Sequence, residues 1–323
     1  MADDTLLAVP VIDISPLFDE TKDRSTLYKE LSDACSTWGF FYVKNNNVPS
    51  SLVQEFRKAN VDFFNKPKEE LYRIKRTQDN SRGYFDDELT KQKLDWKECF
   101  DFGAQNGSLD ATGRDGYNQW LDNDVCFKET MTKYFNTMEE LSIILMQAIA
   151  ASLDLPPETF EQYFNNGHTS YLRLNYYRKC PNPEENMAVH HHTDAGALTI
   201  LLQDEGVQSL QVQLKDDNRW YDIPPKPNTF VINIGDMMQV WTNDRYKAPL
   251  HRVKATSVSE RYSAPFFYNP AYATDVFPIV LLPNEASLYK TLNWGDFRAA
   301  RFAGDYADAG EEVQISHYRL ENK

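Results

Sequence analysis

The first part of the chain alternates short β-rich runs with segments of helical periodicity. Val11 to Ile14 and Phe40 to Val43 have the apolar character of short strands, and Ser25 to Trp38 between them repeats its apolar side chains every three or four residues. Ser50 is expected to cap a second helix, which Pro67 ends soon after its apolar stripe. The pattern therefore predicts a mixed α/β region at the start of the chain.

One long helix is predicted in the middle of the chain. From about Asp124 to Leu153 the apolar positions keep a helical period, until Pro156 and Pro157 end the run. Two earlier stretches, Lys75 to Thr90 and Ala104 to Gly116, are rich in charged residues, Gly, Asn and Asp. We expect both stretches to be loops that border the mouth of an active site.

Beyond Gly167 the chain changes to short segments that alternate apolar and polar residues. Turn signals such as Asp216-Asp217-Asn218 and Pro224-Pro225 separate these segments. Antiparallel strands at this spacing predict a sandwich or jelly roll closed around a central cavity. The expected strands are Tyr171 to Tyr177, Ala197 to Gln203, Ser209 to Leu214, Thr229 to Ile234, His251 to Ala255 and Tyr262 to Tyr268.

The charge balance narrows the choice of partner. The 323 residues include 48 acidic and 34 basic side chains, a formal charge of −14, which disfavours nucleic acid and anionic membranes. The longest apolar runs, such as Leu141 to Leu153, fall short of the roughly 20 residues that a membrane span needs. The four cysteines have no CxxC spacing and Met1 to Asp4 begins no secretory signal. We therefore expect reduced thiols, a cytoplasmic protein and a small-molecule partner.

Two histidines and one aspartate have the spacing of a facial metal site. His192 and Asp194 are two residues apart, so on an extended strand or its end both side chains point to one face. A later strand can bring His251 opposite them. Two imidazoles and one carboxylate leave about three positions open on an octahedral metal, which is expected of a non-haem Fe(II) oxygenase rather than of a closed structural zinc site.

A possible anion clamp follows the third of these residues. Arg261 and Ser263 are also two residues apart and would share one face of a strand. A guanidinium fork and a hydroxyl placed together can bind a carboxylate through charge-assisted hydrogen bonds. The five residues together predict a metal site with a carboxylate-binding group beside it.

Seven motifs, spread over nearly the whole chain, resemble those of the isopenicillin N synthase-like group of Fe(II)- and 2-oxoglutarate-dependent dioxygenases. Their order and spacing carry the resemblance, because an HxD pair alone is common in proteins. The motifs are Pro10-Val11-Ile12-Asp13, Trp38-Gly39-Phe40-Phe41-Tyr42-Val43, Leu174-Asn175-Tyr176-Tyr177, His192-Thr193-Asp194, Asn233-Ile234-Gly235-Asp236, His251-Arg252-Val253 and Arg261-Tyr262-Ser263.

The resemblance implies a distorted double-stranded β-helix that binds Fe(II) and uses 2-oxoglutarate and O2 as cosubstrates. It implies that the iron ligands are His192, Asp194 and His251. Arg261 and Ser263 would bind the distal carboxylate of 2-oxoglutarate, and two further residues near this cosubstrate would be Asn175 and Tyr177. The implied reaction activates a C–H bond of a metabolite by hydroxylation, desaturation or oxidative ring closure, with release of succinate and carbon dioxide.

The fold class expected from pattern and resemblance together is mixed α/β, with an all-β core and a helical scaffold. We expect one integrated catalytic unit with an N-terminal α/β region (1–120), a scaffold helix (121–165), a double-stranded β-helix core (166–275) and a C-terminal helical segment (276–323). Arg178 to Cys180 and Phe297 to Phe302 look unlike the plant enzymes of the family. The resemblance therefore carries over the reaction and not a plant substrate.

Six further residues are candidates for the substrate pocket. Strand alternation puts His190 on the face of His192, and it puts Phe267, six residues after Arg261, on the face of that arginine. Core packing is the alternative for Phe267, and an ordinary surface or packing position is the alternative for His190. Solvated loops and helix faces are the alternative for the other four. The polar or cationic candidates for the rim are Arg82, Tyr84, Arg298 and Arg301. Because several arginines fall at this rim, we expect a carboxylate-bearing substrate, such as an amino-acid-derived natural product.

Competing functions use parts of the same site. An Fe(II) oxidase that is independent of 2-oxoglutarate would need the three metal ligands without Arg261 and Ser263. A catalytically spent binding protein would not need all three ligands, and a zinc hydrolase would not need the anion clamp. A demethylase acting on nucleic acid or protein is a further alternative, and the acidic charge and the absence of a basic patch make nucleic acid the poorer of these two substrates.

Overall fold

The structure is a computed structural model, and it describes residues 8–90, 93–104, 116–165, 167–214, 217–279, 282, 284–307 and 313–320. The strands are β1 (Val11–Asp13), β2 (Phe40–Lys44), β3 (Gly83–Phe85), β4 (Leu89–Thr90), β5 (Lys93–Leu94), β6 (Glu98–Gly103), β7 (Tyr171–Tyr177), β8 (Met187–His192), β9 (Leu198–Gln203), β10 (Leu210–Gln213), β11 (Trp220–Asp222), β12 (Thr229–Ile234), β13 (His251–Lys254), β14 (Arg261–Tyr268), β15 (Asp275–Val276) and β16 (Leu292–Asn293). The α-helices are α1 (Ser25–Thr37), α2 (Ser50–Phe64), α3 (Lys68–Leu71), α4 (Val125–Ala151), α5 (Asp236–Trp241) and α6 (Trp294–Ala307). Short 3-10 helices cover Ser15–Phe18, Tyr72–Ile74, Pro157–Tyr163 and Ile315–Tyr318.

Two sheets form the core. The larger has the strand order β1-β2-β12-β9-β14-β7-β6-β3, and the smaller has the order β11-β10-β13-β8. All pairs in both sheets are antiparallel except β1 with β2. The predicted mixed α/β class with a double-stranded β-helix is therefore confirmed. Strands from the N-terminal region extend both edges of the larger sheet, since β1 and β2 lie at one edge and β3 and β6 at the other.

Strand alternation divides the apolar side chains between two cores. In β2, Phe41 and Val43 belong to the cluster that packs against the helices, whereas Phe40 and Tyr42 belong to the cluster between the two sheets. The second cluster also contains Val189 of the smaller sheet. Because side chains in a strand point alternately to opposite faces, nearly continuous apolar runs cover both sides of the larger sheet.

The long predicted helix is α4, and it supports the outer face of the larger sheet. The side chain of Asp124 accepts a hydrogen bond from the backbone N–H of Phe127 at 3.2 Å, so Asp124 caps the helix. Phe56 of α2 stacks on Tyr134 of α4 with 3.7 Å between ring centroids, and Phe135 of α4 meets Phe266 of β14 at 5.1 Å. The helix thus fixes the outside of the strand that carries Arg261. The division into four consecutive segments stays a prediction.

Two local predictions are wrong or incomplete. Ser50 is the first residue of α2 and not its cap, because Pro49 occupies the N-cap position without a side-chain hydrogen bond. The predicted loop from Lys75 to Thr90 contains β3 and β4, and β3 pairs with β6 at the edge of the larger sheet. The other predicted loop, Ala104 to Gly116, lies almost entirely outside the described residues.

In the described part of the chain, no helix is both long and apolar enough to cross a membrane.

Candidate active site

The predicted metal ligands meet at one end of the space between the two sheets. His192 ends β8 and His251 begins β13, and these two residues are directly paired across the smaller sheet. The Nε2 atoms of His192 and His251 lie 3.7 and 3.6 Å from Oδ1 of Asp194. The three ligand atoms all lie within 4.8 Å of one another, so a single ion can contact all of them. This His-Asp-His set fits a facial Fe(II) site.

Backbone carbonyls orient both imidazoles toward this centre. Nδ1 of His192 lies 2.8 Å from the carbonyl oxygen of His190, and Nδ1 of His251 lies 3.2 Å from that of Pro249. When Nδ1 donates its proton to such a carbonyl, Nε2 carries the lone pair that a metal needs. Burial, together with the neighbouring His251, lowers the pKa of His192 to about 3. His192 is therefore neutral at neutral pH, as a metal ligand must be.

The carboxylate of Asp194 is held by one oxygen and presents the other. Its Oδ2 accepts hydrogen bonds from Thr199 Oγ1 at 2.5 Å and from Asn233 Nδ2 at 2.7 Å. Oδ1 faces the two imidazoles. Burial opposes ionisation of Asp194, but the neighbouring His251 and these two hydrogen bonds outweigh it and hold its pKa below the usual value. The residue is therefore an anionic ligand with a fixed orientation.

The loop that carries Asp194 is fixed by the start of α5. The backbone N–H groups of Asp236 and Met237 donate to the carbonyls of Asp194 and Gly196, at 2.8 and 2.9 Å. Gly235 lies against this loop, and a Cβ atom added to it would come within 2.2 Å of the Gly196 carbonyl oxygen. The glycine is thus required for close approach and not for turn freedom. Asp236 begins helix α5 and is fully buried.

We expect that removing one support of Asp194 weakens iron binding without destroying the site. Thr199→Val keeps the shape of the side chain and removes the hydroxyl that donates to Oδ2. Loss of such a supporting hydrogen bond typically lowers metal affinity by about 10- to 100-fold. Anaerobic Fe(II) titration measures the change. Thr199→Ser keeps the hydroxyl and is the matched control, so equal affinities for the two variants would contradict the assigned role.

The predicted anion clamp lies in the same interior, next to the triad. Arg261 is only 1% exposed, and its Nη2 donates to Oε1 of Gln203 at 3.3 Å. Its guanidinium carbon lies 4.9 Å from the centre of the Tyr177 ring. The Ser263 hydroxyl lies 3.4 Å from Nδ2 of Asn175 and 3.4 Å from the Tyr177 hydroxyl. All four predicted cosubstrate residues therefore line one cavity with the triad.

Arg261 has the property required of a ligand-binding arginine. Nε and Nη1 are buried and have no hydrogen-bond partner in the described part of the protein. A buried guanidinium with two unsatisfied donors is costly unless an acceptor from outside the chain binds it. The distal carboxylate of 2-oxoglutarate supplies two oxygens for such a fork. The site thus fits this cosubstrate.

A second cavity adjoins the first at the metal site. His192, Asp194, Phe267, Lys97 and Arg173 line both cavities. The inner cavity also contains Arg261 and Ser263, and most of its exposed surface is apolar. The outer cavity contains many charged side chains and extends to the C-terminal helix α6. The inner space therefore suits the cosubstrate, and the outer space suits a substrate.

The structure places three of the six candidate substrate residues on the outer cavity. Phe267 lies between the two cavities, and Arg298 and Arg301 of α6 line the outer one. Arg301 is held by three acceptors, because it donates to the carbonyls of Val313 at 3.1 Å and Thr193 at 3.0 Å and to Gln314 at 3.3 Å. It therefore ties the C-terminal region to the loop between two metal ligands.

The other three candidates lie elsewhere. Nδ1 of His190 lies 3.1 Å from Oδ1 of Asp95, and His190 lines neither cavity as described. Tyr84 is fully buried on β3, which pairs with β6, and its hydroxyl donates to Glu98 at 2.8 Å. Arg82 is 6% exposed, and its guanidinium carbon lies 5.4 Å from the centre of the Tyr171 ring. The placement of Arg82 and Tyr84 at the rim is corrected, because β3 draws this segment into the larger sheet.

Several residues that line or support the site were not predicted from the sequence. Thr199 and Gln203 lie on β9 and support Asp194 and Arg261. Strand period could have suggested Arg173, because it is two residues before Asn175 on the same face of β7. Lys97 carried no sequence signal, since it lies in a charged stretch between short strands.

Two family models match the chain. The model for the 2OG-Fe(II) oxygenase superfamily matches residues 168–270, which contain all three metal ligands and Arg261. The model for the N-terminal region of a non-haem dioxygenase in morphine synthesis matches residues 9–123. The two matches lie in the order expected from the sequence motifs.

Relatives and solved structures match nearly the full length. The 1-aminocyclopropane-1-carboxylate oxidase 5 of Arabidopsis thaliana is 32% identical over 304 residues, which cover 90% of this chain and 93% of the relative. The structure of JOX2 in complex with 2OG, Fe and JA has a TM-score of 0.79 at 29% identity and covers 90% of this chain and 83% of that one. The structure of a full-length Neurospora crassa protein in complex with alpha-KG and thymine has a TM-score of 0.81 at 26% identity and covers 94% and 98%.

These similarities agree with the geometry of the site. Three metal ligands, a buried arginine with open donors and a double-stranded β-helix occur together in this chain. Two similar solved structures each contain 2-oxoglutarate together with a small molecule. A spent binding protein and a zinc hydrolase do not account for this set. The chain therefore belongs to the 2OG-Fe(II) oxygenase superfamily and is an Fe(II)- and 2-oxoglutarate-dependent dioxygenase.

Proposed function

We propose that this dioxygenase oxidises a C–H bond of an anionic small molecule, namely a metabolite that bears a carboxylate. One observation carries the proposal, which is the charge of the outer cavity. Apart from the metal ligand Asp194, its lining contains four cationic side chains and two carboxylates. The cations are Lys97, Arg173, Arg298 and Arg301, and the carboxylates are Glu88 and Asp101. A cavity with this surplus of positive charge favours an anion.

The similar proteins act on chemically different molecules. One relative is named for 1-aminocyclopropane-1-carboxylate, whereas the Neurospora crassa structure contains thymine. The name 1-aminocyclopropane-1-carboxylate agrees with a carboxylate substrate, whereas thymine has no carboxylate. The charge of this chain's own cavity is therefore the stronger support. An amino-acid-derived natural product is one class of metabolite that meets the requirement.

The residues of the inner cavity would bind the metal and the cosubstrate. His192, Asp194 and His251 would hold Fe(II), and Arg261 would hold the distal carboxylate of 2-oxoglutarate. Bound together with O2, these groups supply the oxidation of a C–H bond and the release of succinate and carbon dioxide. The protein fixes the orientation of both ligands before the reaction.

Apolar side chains complete the site between the metal ligands and the substrate. Phe267 and Val189 line both cavities and lie beside the triad. They would exclude water around the reacting carbon and support the apolar part of the substrate. The cations of the outer cavity would bind the opposite, charged end. Hydroxylation, desaturation and ring closure all fit this arrangement.

The proposal predicts a preference for acids over their amides. A panel of monocarboxylic acids of graded size, each paired with its primary amide, is tested for stimulation of succinate release from 2-oxoglutarate. We expect the stimulating acids to act at least about tenfold more efficiently, in kcat/KM, than the matched amides, because the amide lacks the charge that the cavity favours. Equal or greater stimulation by the amides would contradict the proposal.

A further inference from the structure

We infer that Lys97 and Arg173 together bind the carboxylate of the substrate. This inference rests on the proposed function and names the residues that carry it out. Both side chains line the outer and the inner cavity, and both therefore reach the space beside the metal ligands. The other cations, Arg298 and Arg301, line only the outer cavity. Lys97 and Arg173 are thus the cations placed to fix a substrate close to the metal.

The strand register explains this position. Asn175 pairs with Ser263 and with Cys99 across the larger sheet. It therefore lies beside Ser263, which is predicted to bind the cosubstrate. Arg173 lies two residues earlier on the same face of β7, about 7 Å further along the strand. It is paired with Asp101 of β6. The guanidinium of Arg173 therefore lies two residues from Asn175 along β7, on the side of the outer cavity.

Three buried charged residues and the partly buried Arg173 form a continuous chain along the wall that the two cavities share. Lys97 Nζ lies 2.6 Å from Oε2 of Glu88, and Nη1 of Arg173 lies 2.8 Å from the same oxygen. Nε and Nη2 of Arg173 donate to the two oxygens of Asp101, each at 2.8 Å. Lys97 and Asp101 are 5% and 4% exposed. The two cations are therefore held rigidly by carboxylates behind and beside them.

Both cations keep donors that these carboxylates do not use. Arg173 has five N–H donors, and its described hydrogen bonds to Asp101 and Glu88 use three of them. Lys97 has three donors, and its described ionic contacts are with Glu88 and with Asp95 at 3.3 Å. A ligand carboxylate can accept hydrogen bonds from the remaining N–H donors of both residues. Since the cations are already oriented, binding requires little loss of side-chain freedom.

Lys97 and its partner Glu88 both stay charged although they are buried. Burial disfavours the ammonium form of Lys97, but the carboxylate of Glu88 outweighs this and raises the pKa of Lys97 well above its usual value. Burial also disfavours the charged form of Glu88, yet Arg173 and Lys97 hold its pKa far below the usual value. A wall of buried ions costs more to form than an apolar wall of similar volume. Recognition of a charged ligand gives this wall a function.

The test removes each cation together with one carboxylate, so that the net charge of the cavity wall does not change. The first variant is Lys97→Met with Glu88→Gln, and the second is Arg173→Met with Asp101→Asn. Arg245→Met with Glu285→Gln is the matched control, because this ion pair of 2.6 Å lies outside both cavities. Circular dichroism and the visible band of the anaerobic Fe(II)–2-oxoglutarate complex show that each variant is folded and loaded.

The readout is the preference for an acid over its amide, measured as the ratio of their kcat/KM values when the Fe(II)–2-oxoglutarate complex is titrated with each member of the panel. We expect the wild type and the control to prefer the acid by at least about tenfold. Either cavity variant should reduce this preference to about twofold or less, mainly through weaker binding of the acid. A merely structural role would weaken acid and amide alike.

Two results would overturn the inference in different ways. If the wild type prefers acids and both cavity variants keep that preference, other cations bind the carboxylate and the proposed function stands. If the wild type prefers no acid in the panel, the proposed anionic substrate fails, and the inference fails with it. A cavity variant that does not fold is replaced by Lys97→Arg, which keeps the charge and should retain acid preference while shifting the affinity for acids of different length.

Discussion

Replacing His251 by alanine is expected to abolish tight Fe(II) binding and all substrate-dependent release of succinate. His251 supplies one of three ligand atoms that lie within 4.8 Å of one another, and its ring faces that of His192 at 4.3 Å between centroids. Without it, one imidazole and one carboxylate remain, which is too few ligands to hold the metal firmly. The affinity should fall by more than the roughly 100-fold that loss of a supporting hydrogen bond can cause.

His191→Ala is the matched control for this change. His191 is exposed and is adjacent to the ligand His192, and its ring lies 6.4 Å from that of Trp220 rather than at the metal site. Anaerobic Fe(II) titration of both variants gives the comparison, and the far-ultraviolet spectrum reports folding. Unchanged iron affinity in folded His251→Ala would contradict the assignment of the triad.

Replacing Arg261 by alanine is expected to raise the KM for 2-oxoglutarate by at least about 100-fold while leaving Fe(II) affinity nearly unchanged. The side chain is 1% exposed, and two of its donors have no partner among the described residues. Each hydrogen bond to a charged group contributes about 1.5–3 kcal/mol, and about 1.4 kcal/mol corresponds to a factor of ten. Two lost bonds to the distal carboxylate therefore account for the expected change.

Arg261→Lys separates charge from geometry. Lysine keeps the positive charge but lacks the planar fork, so its KM should lie between those of the wild type and Arg261→Ala. Arg252→Ala removes an arginine that contacts Gln211 and Trp220 instead and should leave the KM unchanged. A KM for 2-oxoglutarate that is the same in Arg261→Ala and in the wild type would show that another residue binds this cosubstrate.

The metal ligands and the anion clamp were predictable because local rules determine them. His192 and Asp194 lie at a strand end with a separation of two, and Arg261 and Ser263 share a face by strand period. The partner His251 needed only one further strand next to the first. The order of these motifs along the chain was therefore enough to predict the metal ligands and the clamp. The alternating apolar pattern was enough to predict the sheets around them.

The walls of the site depend on contacts between distant segments, which strand period and motif spacing do not show. Lys97 meets Arg173 only because β6 pairs with β7. Tyr84 is buried instead of exposed because β3 joins the same sheet, although its segment has the composition of a loop. His190 has the predicted strand position, yet Asp95 draws its side chain away from the cavities. Each of these outcomes follows from tertiary pairing, which overrides the local pattern.

The most direct test of the site is the visible metal-to-ligand charge-transfer band on anaerobic addition of 2-oxoglutarate to the Fe(II)-loaded protein. Glutarate, which has both carboxylates but no keto oxygen, is the control ligand. The triad and Arg261 together predict a band with 2-oxoglutarate that saturates at one equivalent, and no band with glutarate. Iron binding without a band at saturating 2-oxoglutarate would contradict the assignment of the inner cavity to this cosubstrate.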